Sequence, residues 1–126
     1  MTYTPFDLSG KVALVTGGNG GIGLGFGEAI AMAGGDVCIW GRSAEKNADA
    51  LARLKEVGAG GTYTSFLCDV SNEREVDKRF AETLEAHGRV DGCFANVGIG
   101  GRGSGVEDMT REEWDRIIAV NQSGVF

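Results

Sequence analysis

The sequence predicts an α/β protein in which a parallel, doubly wound sheet lies between two layers of helices. Three observations carry that expectation. Four short apolar runs occur at Val12 to Thr16, Val37 to Trp40, Thr62 to Leu67 and Val90 to Ala95. Amphipathic helical patterns separate them, so strand and helix alternate. The first run passes directly into a cluster of glycines. Strands joined through helices of this length are parallel with right-handed crossovers, and functional residues then collect at the strands' carboxyl ends. Those ends are Thr16-Gly17, Trp40-Gly41-Arg42, Cys68-Asp69-Val70 and Ala95-Asn96-Val97-Gly98.

The first strand, Val12 to Thr16, leads into Gly17-Gly-Asn-Gly-Gly-Ile-Gly23. A pyrophosphate needs backbone N–H donors at a helix N-terminus, where unpaired amides and the helix dipole favour an anion. Side chains in the turn would block that approach, which explains Gly17, Gly21 and Gly23 through close approach or positive φ. Gly98-Ile-Gly-Gly-Arg-Gly103 fits the same literal G-x-G-x-x-G string but precedes no apolar helix, and it reads as a loop. The first helix is expected to bury Ile22, Phe26, Ala29, Ile30 and Ala33, with Gly34 and Gly35 stopping it. Gly25 and Gly27 inside it each cost about 1 kcal/mol relative to Ala, and the sequence offers no account of them.

The second strand, Val37 to Trp40, is followed by a helix beginning at Ser43 that carries Ala48, Leu51, Leu54 and Val57 and ends at Gly58. After the third strand a helix beginning near Ser71 carries Val76, Phe80 and Leu84 and ends at Gly88. The lone histidine, His87, stands at that helix end, where an imidazole commonly meets the last carbonyls, and it is assigned no chemistry. The last helix has a strong start: Thr110 with Glu113 makes a capping box, and Met109 with Trp114 a hydrophobic staple. Trp114, Ile117 and Ile118 define its inward stripe, and Asn121 falls on the same stripe. A buried amide without partners costs about 1 to 3 kcal/mol, so Asn121 either ties the helix to a neighbouring strand or belongs to a site.

With 126 residues, 42% hydrophobic and 24% charged, the chain suffices for one domain, residues 1–126, and is too short for two. The net charge of −6 opposes nucleic acid and anionic membrane surfaces as partners. No apolar run is long enough to span a bilayer, and Met1 to Pro5 has neither a basic nor an apolar leader region, so a cytoplasmic location is expected. Cys38, Cys68 and Cys93 form no C-x-x-C pair and read as buried free thiols, and no metal site is expected.

Taken together, these residues resemble the short-chain dehydrogenase/reductase family, from about Leu8 to Phe126. Thr16 to Gly23 looks like its T-G-x-x-x-G-x-G cofactor turn, Cys68-Asp69-Val70 like its adenine-contacting Asp after the third strand, and Ala95-Asn96-Val97-Gly98 like its N-N-A-G motif. Asn121 matches its active-site asparagine. Ala95 and Val97 depart from the N-N-A-G pattern. The family's catalytic Tyr-x-x-x-Lys has no counterpart, since Tyr3 and Tyr63 are followed four residues on by Asp7 and Leu67. The resemblance implies a Rossmann-type fold, three-layer α/β/α and incomplete on its C-terminal side. It places cofactor contacts at Gly17, Asn19, Gly21, Ile22, Gly23, Asp69, Val70, Asn96 and Gly98. Asn121 would hold a water in the proton relay.

The second strand ends without the carboxylate that would hold a ribose 2′-hydroxyl roughly 20 residues after the glycine turn. Arg42 stands there instead and can face a 2′-phosphate, so NADP(H) is preferred and NAD(H) possible; the alternative is a solvated charge preceding a helix. The expected function is hydride transfer between NAD(P) and a small carbonyl or alcohol substrate, in an enzyme that is a homo-oligomer when complete. The chain is then the N-terminal cofactor portion of a longer enzyme and is predicted inactive alone. A second possibility is a nucleotide-binding or assembly module that pairs with a complete relative through an uncovered strand edge and helix face.

Overall fold

β1 (Val12–Thr16) occupies the inside of a four-stranded sheet, and each of its residues is buried. In the computed structural model, which describes residues 6–103 and 105–126, the strand order is β3-β2-β1-β4. Met1 to Pro5, Tyr3 among them, lie outside the described residues. β2 (Asp36–Gly41), β3 (Tyr63–Leu67) and β4 (Gly92–Ala95) complete the sheet, and every ladder is parallel. Thr16 pairs with Trp40 on one side and with Ala95 on the other. The chain thus winds from β1 outward through β2 to β3, then crosses to β4, and the reversal of direction falls between β1 and β4. This is the α/β, parallel, doubly wound arrangement expected from the sequence.

Both faces of the sheet are apolar, as a parallel sheet between helices requires. Ala13, Val15, Val37 and Ile39 meet Ile30, Ala31, Ala50 and Leu54 on one face. Leu14, Cys38 and Trp40 meet Cys68 with Phe66, Val76 and Val90 on the other. Alternate residues of β1 and β2 serve the two cores, the period of two expected of extended chain.

The helices form where predicted but present different faces. α1 (Gly21–Met32) buries Gly23, Gly27, Ile30 and Ala31, whereas Ile22 is 74% exposed and Phe26 and Ala29 also face outward. The reason is proximity: a Cβ on Gly27 would stand 3.3 Å from Leu54 Cδ2, so the helix approaches its neighbours through glycine. That accounts for Gly27; a Cβ on Gly25 would meet nothing, and nothing in the structure explains that glycine. Phe26 instead packs on Phe94 of β4, ring centroids 5.0 Å apart. α2 (Ala44–Val57) is capped by Ser43 and ended by Gly58, as expected.

α3 (Glu73–His87) is capped by Asn72 rather than Ser71, because the Ser71 hydroxyl donates to Asp69 while Asn72 Oδ1 accepts from the Glu75 amide. Its buried residue is Thr83, and Phe80 and Leu84 are exposed. The Thr83 hydroxyl accepts the Trp40 indole N–H at 3.1 Å and donates to the Arg79 carbonyl at 2.7 Å. His87 pairs with the Thr64 hydroxyl on β3 at 2.7 Å instead of a helix carbonyl. Cys38 and Cys68 are buried, but Cys93, on the edge strand β4, is exposed.

α4 (Arg111–Ile118) follows a short 3₁₀ turn at Val106–Asp108. Half of the predicted capping box forms: Thr110 Oγ1 accepts from the Glu113 amide at 3.2 Å, but the Glu113 carboxylate turns to the Arg102 amide. The expected inward stripe is only partly covered, with Trp114 52% exposed. The helix then widens into a π turn, Ala119–Ser123.

Candidate functional site

The carboxyl ends of β1, β2 and β4 and the chain leaving β3 surround a cleft of about 250 Å³. Gly17, Asn19, Arg42, Asp69, Val70, Asn96 and Gly98 line it, so seven residues singled out from four separated stretches of sequence meet in one place. Gly41, Cys68, Val97, Ile99 and Val120 complete the wall. The Gly98 to Gly103 string forms no helix and is a loop, as expected, and its first two residues, Gly98 and Ile99, line the cleft.

The floor is a turn that only glycine can make. Gly17 and Gly21 have φ of +66° and +52°, the left-handed region that side chains disfavour. Gly23 is needed for another reason, since a Cβ there would lie 2.6 Å from Asn96 Nδ2 and closer still to the Gly17 carbonyl oxygen. Gly18, which sequence reasoning passed over, is equally constrained: its Cβ would press into the Ile39 side chain and stand 2.9 Å from the Val15 carbonyl oxygen. The signal was a second glycine directly after an apolar strand that packs on both faces.

Helix α1 starts at this turn with Gly20 at its N-cap, no side-chain cap and no acidic residue in its first turn. By contrast α2, α3 and α4 are capped by Ser43, Asn72 and Thr110. The first-turn amides of α1 thus lack the usual side-chain acceptor, and the helix dipole adds partial positive charge there. Gly21 and Ile22 belong to that turn, and neither lines the cleft itself.

Asn96 staples the floor together. Its Nδ2 donates to the carbonyls of Thr16 and Gly17 at 3.3 and 3.4 Å, and its amide donates to Thr16 Oγ1 at 3.1 Å. Val97 N also reaches Thr16 Oγ1, at 3.3 Å. Ala95, where the N-N-A-G pattern has Asn, ends β4, and Asn96 follows it with its bonds to Thr16 and Gly17 made. Ser71 donates to Asp69 Oδ1 from both its hydroxyl, at 2.6 Å, and its amide, at 2.9 Å. Those bonds hold the Asp69 carboxyl below its ordinary range, with the Arg42 charge adding a smaller effect, so Asp69 is ionised beside the cleft. Burial pushes the Cys68 thiol up to about 11, which leaves it protonated and a poor nucleophile.

Asn121 sits in the π turn and is exposed rather than buried. Both ends of its amide are nonetheless engaged: Oδ1 accepts from the Ile99 amide at 2.8 Å and Nδ2 donates to the Ile99 carbonyl at 2.9 Å. The tie is made, but to Ile99 in the loop beyond β4 rather than to a strand, and it joins the π turn to the cleft rim. The π turn itself had no sequence signal. Among the described residues no His, Cys, Asp and Glu side chains gather as a metal site, and no helix is long and apolar enough to cross a membrane.

A family model described as short chain dehydrogenase matches residues 11–126. An NADP-dependent (R)-specific alcohol dehydrogenase of Lentilactobacillus kefiri is 40% identical over 119 residues, covering 94% of this chain and 46% of that protein. Among solved structures, NAD+-bound xylitol dehydrogenase superposes with a TM-score of 0.89 at 30% identity, covering 94% of this chain and 45% of that one. A metagenomic short-chain oxidoreductase in complex with NADP superposes with a TM-score of 0.86 at 35% identity, covering 94% and 52%. The chain spans less than half the length of the curated relatives it matches.

Proposed function

The chain belongs to the short-chain dehydrogenase family, and from that premise we propose that it binds NADP(H), less tightly NAD(H), as the cofactor-binding portion of an oxidoreductase that interconverts a small carbonyl and its alcohol. The observation that carries this is the glycine turn held by Asn96 at the uncapped start of α1. The space where side chains would stand at Gly17 and Gly23 is needed for close packing, so backbone amides are what the turn offers to an approaching anion.

In this reading Gly17, Asn19, Gly21, Ile22 and Gly23 hold the pyrophosphate. Asp69 and Val70 receive the adenine, with the Asp69 carboxylate already oriented by Ser71. Arg42 faces the 2′-phosphate, and no carboxylate stands at the end of β2 to repel it. Asn96 and Gly98 line the nicotinamide side. When bound, the cofactor supplies or accepts the hydride; the protein positions and polarises. Asn121 fixes the rim through Ile99, and the water of the proton relay is held at its π turn. The acid/base Tyr-x-x-x-Lys does not occur in these 126 residues, so the chain binds nucleotide without turning over carbonyl substrate. A cytosolic homo-oligomer is the accompanying proposal.

Fluorescence titration with NADPH and NADH tests this. Saturable binding with NADPH the tighter is expected. Absence of binding at millimolar nucleotide overturns the function, tighter NADH binding overturns the role of Arg42, and NADPH-dependent carbonyl reduction by the pure chain overturns the division of labour.

A further inference from the structure

Asn47 takes no part in lining the cleft, yet it is a polar side chain only 3% exposed, the first buried residue of α2, near that helix's N-terminus. Resting on the nucleotide-binding function above, we infer that Asn47 is a positioning and specificity-determining residue: it pins Asn19 across Gly41, fixing the phosphate turn and keeping the end of β2 closed to a carboxylate.

Three hydrogen bonds define it. Asn47 Nδ2 donates to the carbonyls of Gly41 and Phe66 at 3.4 and 3.3 Å, at the ends of β2 and β3. Those two acceptors determine which way the amide lies, because the flipped amide would set Oδ1 against both carbonyl oxygens. Oδ1 therefore points to the glycine turn, where it accepts from Asn19 Nδ2 at 2.8 Å. Asn19 lines the cleft and Asn47 does not, so this bond links the interior of α2 to the ligand side of the turn.

Gly41 makes the bridge possible. A Cβ there would stand 2.5 Å from Asn47 Oδ1 and 2.8 Å from Asn19 Cγ, well inside contact distance. Gly41 is also the last residue of β2, about where dinucleotide folds present the carboxylate that grips a ribose hydroxyl. The amide pair fills that space from the protein side. An acidic residue at 41 must therefore eject Asn19 and loosen the turn, while Arg42, one residue on, remains the charge at that rim.

Two measurements decide the matter. In the ligand-free chain, Asn47→Leu is expected to speed amide exchange from Gly17 to Gly21 while the rest of α2 stays protected; unchanged exchange overturns the proposal whether or not nucleotide binds. Asn19→Ala, which leaves α2 untouched, provides the same comparison if Asn47→Leu fails to fold. For NADPH, each single substitution is expected to raise Kd about tenfold and the double substitution no further, since the bond between Asn19 and Asn47 is lost in either. Additive losses overturn it. Gly41→Asp is expected to weaken NADH as well as NADPH, and adding Asn19→Ala to cost nothing further, since the pair is already broken; tighter NADH binding by Gly41→Asp refutes the closed strand end. Failure of the unaltered chain to bind NADPH counts against the function proposed above, and the exchange result still decides the role of Asn47.

Discussion

Replacing Thr83 by valine preserves the shape of a side chain that is 0% exposed and removes one oxygen. That oxygen accepts the Trp40 indole N–H at 3.1 Å and lies 3.4 Å from Cys38 Sγ. Its own proton goes to the Arg79 carbonyl, four residues back along α3. Thr83→Val therefore leaves the indole donor buried without a partner, which costs about 1 to 3 kcal/mol. A central value of about 2 kcal/mol lowers the melting temperature of a chain this size by about 8 °C, taking about 2.1 cal/mol/K of unfolding entropy per residue. Thr83→Ser keeps the acceptor and loses a buried methyl, about 1 kcal/mol or about 4 °C. The order matters more than the sizes, because apolar burial alone predicts that valine is tolerated better than serine. Thermal melts followed by far-UV circular dichroism measure it. A Thr83→Val chain that melts at or above Thr83→Ser refutes the argument. The effect reaches the cleft, since the Trp40 carbonyl accepts the Gly17 amide at 2.8 Å.

Gly25→Ala meets no atom within 4 Å, and Gly25 does not have positive φ, so the melting temperature should rise by about 4 °C, for about 1 kcal/mol of helix preference. Gly23→Ala should do the reverse, lowering stability and abolishing nucleotide binding by titration, because its Cβ falls on the Asn96 staple. Burial lowers the His87 pKa from 6.5, with Asp36 opposing more weakly. The folded chain thus takes up this proton less readily than the unfolded one, and the stability tied to neutral His87 is complete above that value and lost as pH falls below it. Melting temperature should fall between about pH 7.5 and about pH 5.5, and His87→Gln should flatten the slope; an unchanged slope sinks the assignment. Arg42→Ala should weaken NADPH binding about 10- to 100-fold and leave NADH within about threefold, read by fluorescence titration.

The existence and order of the elements were legible because strand runs and helix caps are local signals; β1 has the bounds its apolar run predicted. Helix faces were less so. Counting large apolar residues put Ile22 and Phe26 inside, but α1 docks through Gly23 and Gly27, and hydropathy cannot see a contact that depends on having no side chain. The same rule passed over Thr83, whose burial depends on an indole N–H contributed from β2, 43 residues earlier in the chain. At the cleft, motif residues were readable as types, whereas Gly18 and Asn47 owe their roles to neighbours that only the folded chain brings near. The π turn at Asn121 was invisible for a related reason: it shows in the backbone path and not in residue character.

The Asn96 staple has a consequence for the order of events during synthesis. All the glycines of the phosphate turn have been synthesised by residue 23, but the bonds that tie Thr16 and Gly17 to Asn96 span 80 and 79 positions of chain. Closing such a loop is slow and entropically opposed until the intervening strands have docked. A nascent chain stalled short of Asn96 therefore carries the whole glycine motif and no nucleotide pocket. Cofactor can act as a ligand that rewards completed folding, but it cannot template the early steps.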